Sequence, residues 1–580
     1  MRTTLYSLIV VFLTTGLAAQ SHPRLLLDPA ELPDLRDRIT REPYQSMFDE
    51  LVDYAESDDT TSVEYGQSTS AVNTSFLYLL TEDDAWAAKA RAYVEDRIYD
   101  TSSGHGWDRN IKGLRLYWHG RAVALAYDHC FDAPSWNTPA DPGNPGGPAF
   151  VEVVRDKLKA QADRIYESGG TEQNRSPASN WQNNRFSSAG LIYLAIEDTL
   201  TETEKQNIHG CREKVETYLI ENMGDGPDSR GFNIEAIGYT MYPWSFTGPF
   251  GIAAERNGYG DIRDAAPAAA AYALWTVHVV TAKIPHVWGD HYGIHPDFGD
   301  DNNNHRGEGC YGLAFYYCPE FLHPGLRHWY DRIVGAQGDR TWDRERHGLP
   351  YSLLYYPDDV PPADPMTIPE WTNAFLETGG NGYFTFRDGY VDEDDMIAQL
   401  YAKFRGNKGH NGPDALSFRI VGLDSPFAVG GGRYGPDIPA ADTGKNQDAY
   451  LRSMNTLYPV DPENELSISG NSGTLVGTPQ SFSDGSGTVT LEIARNNVGT
   501  LHHTRRFLAD YSEQSGAEAV YVISDTSEDG NWWQYVQVDL DETTEAITTS
   551  GNTFTVTNPN GSSLKATVLY PSGDLQWKTG

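Results

Sequence analysis

Glu377-Thr378-Gly379-Gly380-Asn381-Gly382-Tyr383-Phe384-Thr385-Phe386-Arg387 separates two textures of sequence. The first six residues form a turn-rich linker, because Gly and Asn accept backbone conformations that other residues resist. From Gly382 the chain alternates aromatic and β-branched residues with the period of two that marks a strand. Upstream, from Pro29 to about Thr372, apolar residues recur every three or four positions. Ala30-Glu31-Leu32-Pro33-Asp34-Leu35-Arg36-Asp37-Arg38-Ile39 and Phe150-Val151-Glu152-Val153-Val154-Arg155-Asp156-Lys157-Leu158 are helical on that count. Further helices are expected over 84–98, 113–129, 188–196, 202–222 and 265–281. Downstream, Gly487-Thr488-Val489-Thr490-Leu491-Glu492-Ile493, Ala519-Val520-Tyr521-Val522-Ile523 and Thr553-Phe554-Thr555-Val556 are short alternating strands, which argues for an antiparallel sheet or sandwich. The expected division is therefore a helical domain over 21–375 and a β domain over 376–580.

A chain of 580 residues exceeds what one hydrophobic core supports, so two large domains are in keeping with its length. The formal net charge is -37, with 12 Lys against 32 Arg. A surface that acidic repels nucleic acid and anionic membranes, and is a common adaptation to salty surroundings. Met1-Arg2-Thr3-Thr4, an apolar run from Leu5 to Leu13, and small residues at Gly16, Ala18 and Ala19 read as a secretory signal peptide over 1–20. That run is too short for a good membrane span, so a secreted or periplasmic protein with no membrane span is expected. Cys130, Cys211, Cys310 and Cys318 suit an oxidising compartment in number, with Cys310–Cys318 as a local bridge or all four as buried thiols.

One segment carries a resemblance. Gly409-His410-Asn411-Gly412-Pro413-Asp414-Ala415-Leu416-Ser417-Phe418 is similar to the G-H-x-H-x-D-A-x-S-F strand of the heparinase II/III-like polysaccharide lyases. His22-Pro23-Arg24-Leu25-Leu26-Leu27 resembles a common opening of these enzymes. The resemblance implies an α+β multidomain protein: an incomplete (α/α) toroid followed by a C-terminal antiparallel β-sandwich, with the active site in the cleft between them. It covers most of the chain after residue 20. Many members of the family bind a structural zinc through the second His and through an Asp of the following strand. Here Gly412 and Gly430 stand at those places and offer no side-chain donor, so no zinc and no other cofactor is expected. His503, in a strand similar to the one that completes the family's zinc set, then becomes structural or substrate-facing.

Three further stretches resemble chemistry-bearing parts of the family. Asn180-Trp181-Gln182-Asn183-Asn184-Arg185, expected just before a helix, corresponds to an Asn-Trp stretch that binds the uronate carboxylate. Abstracting the proton alpha to a carboxylate requires its charge to be neutralised, which amide or guanidinium donors can do. The resemblance therefore implies catalytic roles for Asn184 and Arg185 and substrate contacts for Asn180, Trp181 and Asn183. A plain capping cluster is the structural alternative. In Phe232-Asn233-Ile234-Glu235-Ala236-Ile237-Gly238-Tyr239-Thr240-Met241-Tyr242, Tyr239 matches the Tyr that protonates the leaving O4, and Tyr242, three residues on, would line the subsite. An aromatic stripe in the core is its structural alternative. The loop from Trp288 to Arg306 supplies His291 and His295 as substrate contacts, or as solvated loop histidines. His410 is a candidate base, and Arg433 and Tyr434 are candidate substrate contacts.

The function implied is β-elimination on an anionic, 4-linked uronate polysaccharide of the alginate, glucuronan, ulvan or glycosaminoglycan type. Two rival readings use other chemistry. An (α/α)-barrel glycoside hydrolase would rely on paired carboxylates such as Glu235 with Asp300 or Glu308. A non-enzymatic carbohydrate-binding protein would use some of the 14 Trp and 34 Tyr as stacking platforms.

Overall fold

Helices account for most of the chain up to residue 369, and strands for most of it from residue 382. The structure is a computed structural model. It describes residues 22–57, 66–101, 107, 114–167, 175–223, 238–271, 281–284, 291–294, 298, 309–335, 342–344, 347–369, 382–402, 415–429, 455, 457–458, 473–495, 501–527, 533–534, 536, 546–570 and 575–577. The expected domain boundary at 375/376 lies outside the described residues.

The helical part runs α1 (Leu32–Arg38), α2 (Tyr44–Glu56), α3 (Gly66–Thr81), α4 (Asp84–Ile98), α5 (Leu114–Cys130), α6 (Phe150–Glu167), α7 (Asn180–Ala195), α8 (Glu202–Met223), α9 (Gly238–Arg256), α10 (Tyr311–Tyr317), α11 (His323–Ile333) and α12 (Gly348–Tyr355). Packing runs from neighbour to neighbour: α3 against α4 and α5, α5 against α7, and α7 against α6, α8 and α9. The helices are amphipathic in varying degree. α6 buries Phe150, Val151, Val154, Leu158 and Ile165 at helical spacing, whereas α7 is buried on nearly every side. Burial all round marks α7 as an inner helix.

The segment at His22 is tied down by one carboxylate. Asp128 on α5 accepts from His22 Nδ1 (2.7 Å), from the Arg24 backbone N–H and from the Leu25 backbone N–H (3.0 Å), which seats Leu25, Leu26 and Leu27 in the core. The His-Pro-Arg-Leu-Leu-Leu opening is thus a docking segment for the helical domain.

The helix expected over 265–281 falls only in part within the described residues, which show 3-10 turns at Ile262–Asp264 and Pro267–Ala271, while 272–280 lie outside them. Pro267 supplies no N–H, which suits the start of a short turn. From Thr281 a strand β1 (Thr281–Ile284) pairs antiparallel with β2 (His291–Ile294). The expected Cys310–Cys318 bridge fails. The two residues bracket α10, and a rise of about 1.5 Å per residue sets them roughly 12 Å apart, beyond disulfide reach. All four cysteines are buried thiols.

The C-terminal part is antiparallel. β3 (Gly382–Arg387), β4 (Ile397–Ala402), β5 (Phe418–Gly422) and β6 (Ser425–Ala428) form one sheet in that order. β7 (Leu457–Tyr458) pairs with a distant short strand, and β8 (Gly473–Leu475), β9 (Gln480–Ser481), β10 (Gly487–Arg495), β11 (Leu501–Asp510) and β12 (Val520–Ser527) form a second sheet, ordered β12-β11-β10-β8 with β9 beside β10. Phe384, Phe386, Leu400 and Phe418 of the first sheet share a core with Val489, Leu491 and Phe507 of the second. Two sheets closed over one apolar layer make a sandwich. β13 (Trp533–Gln534) is the partner of β7, and β14 (Ala546–Ser550), β15 (Thr553–Thr557) and β16 (Ser563–Thr567) add a three-stranded sheet.

The two parts touch through aromatic groups. Phe298 packs on the rings of Tyr383 and Tyr401, with centroids 5.7 and 5.5 Å away, and His328 of α11 lies with Nε2 3.2 Å from the Tyr390 carbonyl. No helix among the described residues is long and apolar enough to cross a membrane.

Candidate active site

The Asn-Trp stretch does not precede a helix; it begins one. Ser179 is the N-cap of α7, its Oγ accepting from the Trp181 N–H, so Asn180 to Arg185 form the first turns. Asparagines are poor residues for a helix interior, and tertiary hydrogen bonds hold them there. Thr247 Oγ1 on α9 donates to Asn183 Oδ1 (2.9 Å), while Asn183 Nδ2 donates to the Pro243 carbonyl (3.3 Å) and to Asn184 Oδ1 (3.2 Å). Through Thr247 and the Pro243 carbonyl the Asn183 amide joins α7 to α9.

Arg185 donates Nε to the Ile165 carbonyl (2.6 Å) and Nη2 to the Tyr166 carbonyl (2.8 Å), near the C-terminal end of α6. Those carbonyls have no helical donors, and a buried guanidinium satisfies them. Arg185 therefore closes the C-terminal end of α6. Asn184 is different. It is fully buried, and among the described residues its Nδ2 has no acceptor. A buried amide donor without a partner costs folding free energy and is what an anion-binding position looks like before the anion arrives.

α9 forms the opposite wall and contains Pro243 and Pro249. Pro249 has no N–H, which leaves the Ser245 carbonyl without its helical donor. Arg121 of α5 fills that gap by donating Nη1 to the Ser245 carbonyl. The same guanidinium stacks over Trp118 (4.0 Å) and approaches Phe246 (4.5 Å), and its Nη2 lies 3.3 Å from His347 Nδ1. A guanidinium only donates, so His347 Nδ1 accepts and the ring proton of the neutral imidazole sits on Nε2. Trp118 stacks with Tyr242 on one side (6.4 Å) and with His347 on the other (5.9 Å). Tyr351 of α12 closes the group; burial pushes its phenol well above the ordinary range, and the Arg121 charge opposes that rise. Trp342 and Asp343, both at positive φ (50° and 57°), turn the chain into His347. Asp343 also accepts from the backbone N–H of Tyr311 at the start of α10 (2.8 Å).

The result is a polar and aromatic cluster drawn from α5, α7, α9 and α12. Sequence reading found Asn184 and Tyr242 but missed Trp118, Arg121 and His347. They belong to no short motif, and the only local hint was a proline placed four residues after Ser245. Asn180 is buried in the first turn of α7, Trp181 is half-buried, and Tyr242 is half-buried on α9. Tyr239 lies in the first turn of α9, where its side chain is outside the described residues, as is that of His291 on β2. His295, His410, Arg433 and Tyr434 lie outside the described residues, as do Glu235, Asp300 and Glu308 of the rival hydrolase reading. The Phe250 ring of α9 lies directly against the α7 backbone at Gly190, where a Cβ would sit 2.2 Å from it.

The architecture has solved counterparts. The chain is similar to a crystal structure of heparinase III, with TM-score 0.56 and 12% identity over 86% of this chain and 68% of that one. It has the heparinase III fold. A second heparinase III structure, with methylated lysines, gives TM-score 0.52 and 13% identity over the same shares of 86% and 68%. No protein-family model and no curated protein matches the sequence.

Within the heparinase III fold, the residues around His503 test whether a metal fits. His503 is fully buried on β11, with Nε2 2.7 Å from Asp525 Oδ1 on β12. Arg505 donates Nε to Asp525 Oδ1 (2.8 Å) and Nη2 to Oδ2 (3.0 Å). Its Nη1 reaches the carbonyls of Leu416 (2.7 Å) and Asn455 (3.1 Å). Asn455 in turn donates to the Phe418 and Val429 carbonyls (2.7 and 3.2 Å). Burial alone would raise the Asp525 carboxyl, but the Arg505 charge outweighs it and, with His503, holds the group well below the usual carboxylate range. A guanidinium lying on both oxygens of the carboxylate repels a dication, so this donor set does not fit zinc.

Proposed function

We propose that the protein is a polysaccharide lyase that cleaves a 4-linked, uronate-containing polysaccharide by β-elimination. The observation that carries the reading is the buried Asn184 on α7, whose Nδ2 has no acceptor among the described residues, within a heparinase III fold. Asn184 donates to the substrate carboxylate, with Asn180 beside it, and stabilises the dianion that develops as the C5 proton leaves. His410 or a tyrosine takes that proton. The electron pair forms the C4–C5 double bond, the C4–O4 bond breaks, and the Tyr239 phenol protonates O4. Tyr242 and Trp181 line the sugar subsites, while His291, His295, Arg433 and Tyr434 complete the substrate contacts. Arg121 fixes the carbonyl chain of α9 and the tautomer of His347, and Arg185 is assigned to structure. No step requires a metal.

The purified protein, incubated with alginate, glucuronan, ulvan and chondroitin in turn, is expected to generate the ultraviolet absorbance of a conjugated unsaturated uronate on at least one of them. New reducing ends without that absorbance would make it a hydrolase. Binding without either product would make it a carbohydrate-binding protein.

A further inference from the structure

We propose that Arg175, stacked on Trp181, is an outer anion subsite that binds a second carboxylate or sulfate of the polymer next to the uronate held at Asn184. The proposal rests on the lyase reading of the Asn184 site and adds a determinant of chain length and charge. Arg175 is exposed, and its guanidinium lies 4.0 Å over the indole of Trp181. In a chain with 81 acidic residues against 44 basic ones, acidic partners are abundant. Arg24, Arg36, Arg38, Arg91, Arg212 and Arg256 all have carboxylate partners. Among the described residues Arg175 has none.

The geometry ties this cation to the inner site. Trp181 and Asn184 are three residues apart on α7, so they share a face, separated by a rise of about 4.5 Å. The turn that follows Arg175 is held by two hydrogen bonds. The Ser179 N–H donates to the Ser176 carbonyl (2.9 Å), and Asn222 of α8 donates Nδ2 to the Ala178 carbonyl (2.9 Å). A guanidinium stacked over an aromatic face keeps N–H edges available for a bidentate carboxylate or sulfate. A planar cation one helical turn from an unpartnered buried amide matches a ligand that repeats its negative charge along its length. A neutral polysaccharide would gain little from the cation.

The test compares the parent with Arg175→Ala, Arg175→Lys and a charge control, Lys214→Ala, at an exposed position on α8. Oligouronates of increasing length are the probes, with a neutral oligosaccharide beside them. Arg175→Ala is expected to raise KM about tenfold on the longer oligomers, a change of one factor of ten in binding, with kcat falling less than twofold. The salt dependence of KM should flatten, because one ionic contact is gone. Arg175→Lys should fall between, since a point charge neither stacks nor forks, and Lys214→Ala should match the parent. An unchanged KM and an unchanged salt slope for Arg175→Ala would overturn the subsite. If no uronate polymer is turned over, the lyase reading fails separately; equilibrium binding of the same oligouronates then decides Arg175, with weaker binding by Arg175→Ala supporting the subsite and equal binding overturning it.

Discussion

Asn184→Ala is expected to lower kcat by roughly two to three orders of magnitude, the range found when one donor to a developing oxyanion is removed. The melting temperature should stay level or rise slightly, and that second readout separates the catalytic role from a structural one. A buried donor without an acceptor opposes folding of the free protein, so its removal relieves a cost. The one bond that Asn184 makes among the described residues accepts from Asn183 Nδ2, which keeps its contact with the Pro243 carbonyl. Asn184→Asp should be worse still for turnover, because it sets a negative charge against the substrate carboxylate. Tyr239→Phe is the companion variant, with turnover falling by about two to four orders of magnitude while oligouronate binding persists. A large loss of melting temperature in Asn184→Ala with turnover little changed would return Asn184 to the structural alternative of a capping cluster.

Asp525→Ala is expected to destabilise the sandwich by about 3–5 kcal/mol, the usual consequence of leaving one half of a buried ion pair behind. Arg505 would stay buried without the carboxylate it lies on, and His503 would lose its bond to Asp525. Denaturation followed by tryptophan fluorescence should show the loss, and chelator treatment of the parent should leave its transition in place. Stoichiometric zinc in the purified protein, lost together with stability on chelation, would refute the guanidinium assignment. The pH dependence has a definite sign. Asp525 is depressed in the folded state, so its contribution is present above the unfolded carboxylate value of about 3.9 and is lost as pH falls below it towards the folded value. The parent should therefore lose stability in acid below about pH 4 by this route, and Asp525→Ala should show a weaker acid dependence.

Regular elements were legible where local pattern and tertiary demand agree. The expected helix at 84–98 and the strand at 382–387 coincide with α4 and β3, because their periodicity is uninterrupted and their ends carry caps or glycine. The start of α7 was misplaced by several residues, since Asn-Trp-Gln-Asn-Asn has no apolar period and only α9 makes it helical. Asn184 could be named from a short motif. Arg121, Trp118 and His347 could not, because α5 and α12 meet α9 only through the curvature of the helical layer. The partners of Arg185 were not legible for the same reason: they belong to the end of another helix, twenty residues back in sequence.

The Phe250 ring of α9 takes the place a Cβ on Gly190 would occupy, 2.2 Å away, so the bare backbone there lets the two helices come together. Gly190→Ala would have to displace that ring or part the helices, and its cost in melting temperature would read how tightly the helix that carries Asn184 is held to its neighbour.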